Sequence, residues 1–341
     1  MIHPAEMSDD ARTPVFGGPP LNYHHNPYGF APQPTPMPRY VNGNMRMHSK
    51  LQECEDNQCA EEGCDPEECG DENRPPSRER DTYCGIDARP LLPLGLICST
   101  TYSFFVVIKV HIPTLGRSIG DEFFPSLFLV PLYLVTLLSM VYTALSDPGQ
   151  IHYDQMPLSE DGQRLPPKRS HKSWLYSHPI RRYDHYCRWV MNVIGLLNHR
   201  TFFVMCSGLM ACVGIGILVD VVLILDVFVR SSWKEIWVLV SHLVYCCIVL
   251  GLLGPIFKLH VGFISRNELA HEWTKNHNYI AFSPSRGGKI PVNDMNDDEY
   301  NDAFDFFEYD AKRNPWDRGA YKNCLDFWLH SRDEAKEMGQ F

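Results

Sequence analysis

Cysteine is absent from residues 146–186, although the 341-residue chain holds twelve cysteines in all. A metal site built on thiolates is therefore excluded from that stretch. Basic side chains are absent from residues 293–310, which carry eight acidic ones, and scarce in residues 51–81, with three against twelve acidic. These two segments contribute -8 and -9, so the remainder is about +7 against a formal net charge of -10. The acidity is expected to belong to tails, and the overall balance argues against nucleic acid as a partner. No short apolar core preceded by positive charge occurs between Met1 and about Arg89, so no cleavable signal peptide is expected. Cys98, Cys206, Cys212, Cys246 and Cys247 lie in apolar runs, where cysteine packs as a small hydrophobe, and this argues against a secreted disulfide framework.

Residues 1–89 also lack apolar periodicity. They are rich in Pro, Asn, Gly and charge and are predicted to be disordered. Within them Cys54, Cys59, Cys64 and Cys69 recur every five residues in an acidic background. Two readings stay open there, capture of a soft metal by four thiolates and a solvated low-complexity tract.

Four apolar segments follow: Leu91–Ile108, Phe123–Leu145, Phe202 to about Val229, and Trp237–Leu259. Each meets the roughly 20-residue length needed to cross a hydrocarbon core, the first only narrowly. Lys109 and His111 are expected at the exit of the first segment, reaching toward the interface. Asp220 and Asp226 in the third are expected near headgroups at the opposite face, with a buried polar role as the alternative reading. Residues 164–200 contain eight Lys or Arg and one acid, Asp184, whereas the connections 113–122 and 230–236 carry one and two basic residues. The positive-inside rule then predicts a cytosolic 146–201 loop, with both tails on the same side.

The predicted fold is an all-α polytopic membrane protein with four transmembrane helices and an irregular cytosolic domain between the second and third. Its layout is a tail (1–89), helices 1 and 2 (90–145), the cytosolic domain (146–201), helices 3 and 4 (202–259) and a cytosolic C-terminal region (260–341).

The chemistry is concentrated in Arg181-Arg182-Tyr183-Asp184-His185-Tyr186-Cys187-Arg188-Trp189. A cysteine attacks as thiolate, and a neighbouring imidazole is the usual means of making one near neutral pH. An acid beside the imidazole orients it and stabilises its charged form. Asp184, His185 and Cys187 supply these roles, and Arg181, Arg182 and Arg188 add positive potential for an anionic substrate such as a CoA phosphate. On spacing alone, a structural reading with Cys187 packed and the Asp–His pair capping a turn has equal standing.

The order of motifs resembles the DHHC protein S-acyltransferases (palmitoyltransferases). The family core D-H-H-C-P-W-V-x-N-C-V-G-x-x-N-H-R-x-F is similar to Asp184-His185-Tyr186-Cys187-Arg188-Trp189-Val190-Met191-Asn192, continuing through Gly195 to Asn198-His199-Arg200 and Phe202. Asp147-Pro148-Gly149 stands where the family has D-P-G, and Ser265-Arg266-Asn267-Glu268 partly matches its T-T-x-E. Asn314-Pro315-Trp316-Asp317-Arg318-Gly319 with Asn323 resembles its C-terminal aromatic motif. The resemblance implies an enzyme that moves a long-chain acyl group from acyl-CoA to protein cysteines near the membrane, through an acyl-Cys187 intermediate. The membrane implied is the endoplasmic reticulum, Golgi or plasma membrane. It also implies that the acyl chain lies among the four helices and that Glu268 and Asn323 brace the cytosolic layer. Arg266, in place of a threonine, is expected to pair with Asp184.

The departures fall on zinc ligands. The family places for cysteine and histidine hold Lys172, Ser173, Tyr176 and Pro179, with Tyr186 and Val193 further on. His152, His171 and His178 without thiolates make a poor structural zinc site, so no metal and no cofactor is expected there. Trp174, Tyr176, Pro179 and Tyr183 are expected to form an aromatic cluster instead, with the arginines paired to the acidic tails. A competing reading is a catalytically silent membrane scaffold that kept the fold.

Overall fold

Four long apolar stretches become four long helices in the computed structural model, which describes residues 82–83, 86–160, 162–229, 233–332, 338–339 and 341. All of these lie within the unit Asp71–Phe341. The N-terminal cysteine repeat falls outside the described residues.

Helix α1 (Leu91–Ile119) contains one π turn, Val107–His111, and ends on Gly120 in the left-handed region (φ 83°). Helices α2 (Phe123–Leu145), α3 (His199–Val229) and α4 (Trp233–Arg266) complete the set. All four are long and apolar enough to cross a membrane. Three expected boundaries shift, because the helices continue through polar residues that find partners, in α1 within the bundle and at the ends of α3 and α4 outside it. The first runs on past Lys109 and His111 to Ile119. His111 is therefore not at an interface but 1% exposed, bonded to Asp220. Asp220, expected near headgroups, is fully buried between helices.

Small residues set how closely the helices approach. A Cβ on Gly208 of α3 would fall 2.2 Å from the Thr136 hydroxyl of α2, so these two helices meet backbone to side chain. Thr136, Ser139 and Thr143 turn their hydroxyls back onto carbonyls of their own helix, which leaves α2 without orphaned donors on its buried face.

The chain is mostly helical but not all-α. A hairpin of β3 (His185–Cys187) and β4 (Asn192–Ile194) sits in the loop between α2 and α3, and a short pair, β1 (Thr82–Tyr83) with β2 (Ile86–Asp87), precedes α1. After α4 come α5 (Ala270–Thr274), an antiparallel sheet ordered β6 (Gly288–Pro291), β5 (Tyr279–Ser283), β7 (Glu308–Tyr309), α6 (Asp297–Ala303) and α7 (Ala320–Leu329). In β5 the residues Tyr279, Ala281 and Ser283 point inward, the period-2 pattern of a half-buried strand. The acidic stretch 293–310 is thus folded, not a tail: Asn296 caps α6 by accepting the Glu299 N–H at 2.9 Å, and acids in the first turn suit the helix N-terminus.

The loop is clamped to the helices by backbone contacts. Asp147 Oδ1 accepts from Gly149 N (3.0 Å) and Gln150 N (3.1 Å), closing a turn whose carbonyls then receive Leu197 N at Pro148 and Arg181 N at Gly149. Asn198 bridges Gly195 N and Val193 O. Gly195 is hemmed in by backbone: a Cβ there would stand 2.6 Å from the Pro148 carbonyl oxygen and 2.5 Å from Ile180 Cγ2. Because one obstacle is backbone, Gly195→Ala is expected to destabilise the protein by about 2 kcal/mol or more. A lowered midpoint of thermal unfolding in detergent, against an unchanged one, checks this.

Candidate active site

The spacing Asp184-His185-x-Cys187 acquires its meaning from β3. Alternate residues of a strand share a face, so His185 and Cys187 point the same way and Tyr186 the other. Tyr186 lies edge-on to Trp174 with ring centroids 5.1 Å apart. The hairpin register sets Cys187 opposite Asn192, whose amide donates to the carbonyls of Thr143 (2.9 Å) and Ser146 (2.8 Å) at the end of α2. The strand carrying the thiol is thereby tied to a helix terminus.

Asp184 is fully buried. Its Oδ2 pairs with His185 Nδ1 at 2.7 Å, and its Oδ1 accepts the Ala270 N–H at 2.8 Å. Burial alone would raise its pKa; the neighbouring imidazoles of His199 and His185 outweigh that and hold the carboxyl well below the usual range. Burial likewise pulls His185 down, but hydrogen bonds to Asp184 and to the Cys187 side chain prevail and push its pKa up from 6.5 to about 10. The imidazole is therefore cationic through neutral pH, between a carboxylate and a sulfur.

Cys187 is 5% exposed and packs in an apolar cluster with Met140, Val190, Phe202, Met205 and Leu209, bordered by Leu96 of α1 and Leu253 of α4. Cys187 thus belongs to a cluster to which all four long helices contribute, and its side chain hydrogen-bonds the imidazole.

Other expected site residues take different places. Arg182 is 3% exposed and its guanidinium is committed to Asn267 Oδ1 (2.8 Å) and the Phe341 carbonyl (2.6 Å), so it does not face a soluble anion. Arg181 donates to Gly149 O, and Arg188 is exposed. Arg266 does not reach Asp184: it bonds Glu268 (2.9 Å), the nearer carboxylate, two residues on. Glu268 also accepts from Asn278 and Tyr279. Asn323 donates to Ser265 O and Asp317, tying α7 to the end of α4. Arg169 pairs with Glu272 (2.6 Å), not with an acidic tail.

The aromatic residues of the loop do not form one cluster. Trp174 goes to Tyr186, the Tyr176 hydroxyl to Asn192 (2.6 Å), and the Tyr183 ring lies tilted against His171 and edge-on to His271. The positions that would carry zinc ligands do not fit the ion. Val193 is fully buried, the Ser173 hydroxyl accepts from Leu175 N, and the Tyr176 hydroxyl is engaged. His152 packs on His178, and His171 on His271, so the three loop histidines do not converge.

Two neighbours of Asp184 were not singled out from the sequence. His199 opens α3 with Nε2 at 4.0 Å from Asp184 Oδ2, and His260 of α4 lies with its ring 5.4 Å from that of His185. A lone histidine in the last turns of an apolar helix was the only available signal for His260.

Residues 159–277 match the family model described as DHHC palmitoyltransferase. Protein S-acyltransferase 8 of Arabidopsis thaliana is 32% identical over 114 residues, 31% of this chain and 28% of that protein. Palmitoyltransferase SWF1 of Yarrowia lipolytica is 27% identical over 37% of this chain and 38% of its own length. Palmitoyltransferase PFA5 of Eremothecium gossypii is 31% identical over 48% of this chain and 45% of its own. The chain thus spans from under a third to under half of these relatives' lengths. Residues 159–277, with the D-H-x-C hairpin inside them and two of the four long apolar helices at least partly among them, thus hold a domain that matches the DHHC palmitoyltransferase family model.

Proposed function

We propose that the protein is a membrane-embedded protein S-acyltransferase that works through an acyl-thioester on Cys187. The observation that carries this reading is the continuous chain from Asp184 through His185 to Cys187, a residue of an apolar cluster built from all four long helices.

In the first half-reaction the Cys187 sulfur attacks the carbonyl carbon of a long-chain acyl-CoA. The carbon–sulfur bond to CoA breaks, and the imidazolium of His185 gives its proton to the departing CoA thiolate. In the second, the neutral imidazole accepts the proton of a substrate cysteine as that sulfur attacks acyl-Cys187, whose thioester bond breaks to release the Cys187 thiolate beside the restored imidazolium. Asp184 orients the ring and balances its charge in both. The apolar cluster around Cys187 offers the start of a path for the acyl chain toward the bilayer.

An anionic head group finds better partners than Arg182. Lys168, Arg169, Glu272, Arg313 and Trp316 border a cavity of about 320 Å³; Glu272 is paired with Arg169, and Lys168 and Arg313 with the Trp316 ring suit a CoA nucleotide. The basic 164–200 loop supports a cytosolic position for the hairpin and both tails, in an endomembrane or the plasma membrane, with membrane-proximal cysteines of proteins as acceptors. No zinc is assigned to the loop, since its residues do not offer the ligands.

Incubation of purified protein with labelled palmitoyl-CoA is expected to give label that hydroxylamine removes and that vanishes in Cys187→Ser. Asp184→Asn is expected to lower the rate of that labelling roughly a hundredfold or more. A silent scaffold would take no label, and label retained in Cys187→Ser would sink the assignment to this thiol.

A further inference from the structure

A second polar centre lies among the helices, away from the hairpin. Asp220 of α3 is fully buried, and both its carboxylate oxygens go to imidazoles. Oδ1 meets His111 Nε2 of α1 at 2.8 Å, and Oδ2 meets His242 Nδ1 of α4 at 2.6 Å. His111 and His242 are themselves 1% and 0% exposed. One ligating atom from each of the three lies within 4.8 Å of the others. A carboxylate in such surroundings is costly unless a cation balances it.

We propose that His111, Asp220 and His242 bind a divalent transition-metal ion of the zinc class. Two imidazole nitrogens and one carboxylate oxygen are a donor set that suits a borderline ion and leaves a fourth position for an oxygen ligand. The far ring nitrogen of His242 is held by Ser103 Oγ at 2.7 Å, and Ser103 in turn meets the Tyr133 hydroxyl at 2.7 Å. An outer partner that fixes the tautomer and orientation of the ring is the usual accompaniment of a metal-bound histidine.

Two backbone features build the site. The π turn Val107–His111 inserts a residue into the α1 repeat, and His111 is its last member; such turns recur at functional positions. Gly216, one turn before Asp220, lets α4 approach: a Cβ there would stand 2.9 Å from Cys246 Sγ and 3.3 Å from His242 Cε1. Both devices bring three helices to one point, where a bound ion fastens α1, α3 and α4 together. The site is separate from the loop positions that lost their ligands, and it does not depend on the acyl-transfer reading.

The test uses the full-length chain in detergent, with Cys54, Cys59, Cys64 and Cys69 replaced by Ser so that the N-terminal repeat contributes no thiolates. After loading with zinc and desalting, elemental analysis is expected to find one zinc per chain, and X-ray absorption an all-nitrogen/oxygen first shell at about 2.0–2.1 Å. Asp220→Asn and His242→Gln are expected to lose the ion, and cobalt in its place to show four-coordinate visible bands in the parent protein only. Chains that retain no zinc, variants that retain it undiminished, or sulfur in the first shell would overturn the proposal. If both variants fail to fold, zinc content and first shell of the parent protein decide.

Discussion

The buried pairing of Asp184 with His185 is the interaction on which the rest of the hairpin depends. An isolated carboxylate with no solvent contact is expensive, and an isolated imidazolium hardly less so. Side by side at 2.7 Å, with the Ala270 N–H on the other carboxylate oxygen, each answers the other's cost. The pair has a chemical consequence because β3 alternates: the residue after next, Cys187, shares the face of His185 and receives its remaining hydrogen bond. Removing the carboxylate would leave the imidazole in an apolar setting that favours its neutral form, and the sulfur would lose its cation.

The helices give this pair its location. The hairpin is bonded to the end of α2 through Asn192 and passes into α3 through Asn198, while α4 delivers His260 and the turn that ends on Ala270. The four long helices all contribute to the cluster that holds the thiol, and Asn323 of α7 ties the folded C-terminal region to the end of α4. A second polar knot, around Asp220, joins α1, α3 and α4 elsewhere in the bundle. The fold thus carries two buried carboxylates with histidines as partners, one beside the proposed nucleophile Cys187 and one apart from it.

Much of this was legible in the sequence, for physical reasons that can be stated. Long uncharged runs have few alternatives to helices of membrane length, and a local D-H-x-C brings its side chains together because the residues are neighbours in the chain. What was not legible depended on contacts across many residues. His111 and Asp220 read as interfacial because nothing local showed that they would meet. Arg266 reads as a partner for Asp184 on motif order, yet Glu268, two residues away, takes it. Arg182 looks like a solvent-facing cation in a basic run, but Asn267 and Phe341 cover it. The C-terminal sheet was hidden because its strands are short and its acidic neighbours dominate the composition.

The charge on His185 is the claim that can be tested most directly. Nitrogen-15 spectra of histidine side chains in the detergent-solubilised protein, with His185 assigned by its loss in His185→Gln, would follow that single ring. Since its pKa is raised, the charged form should persist through neutral pH and disappear only as pH rises through about 10, and in Asp184→Asn the transition should fall back toward the ordinary 6.5. A ring that titrates near 6.5 in the unsubstituted protein, or one indifferent to the loss of Asp184, would contradict the account.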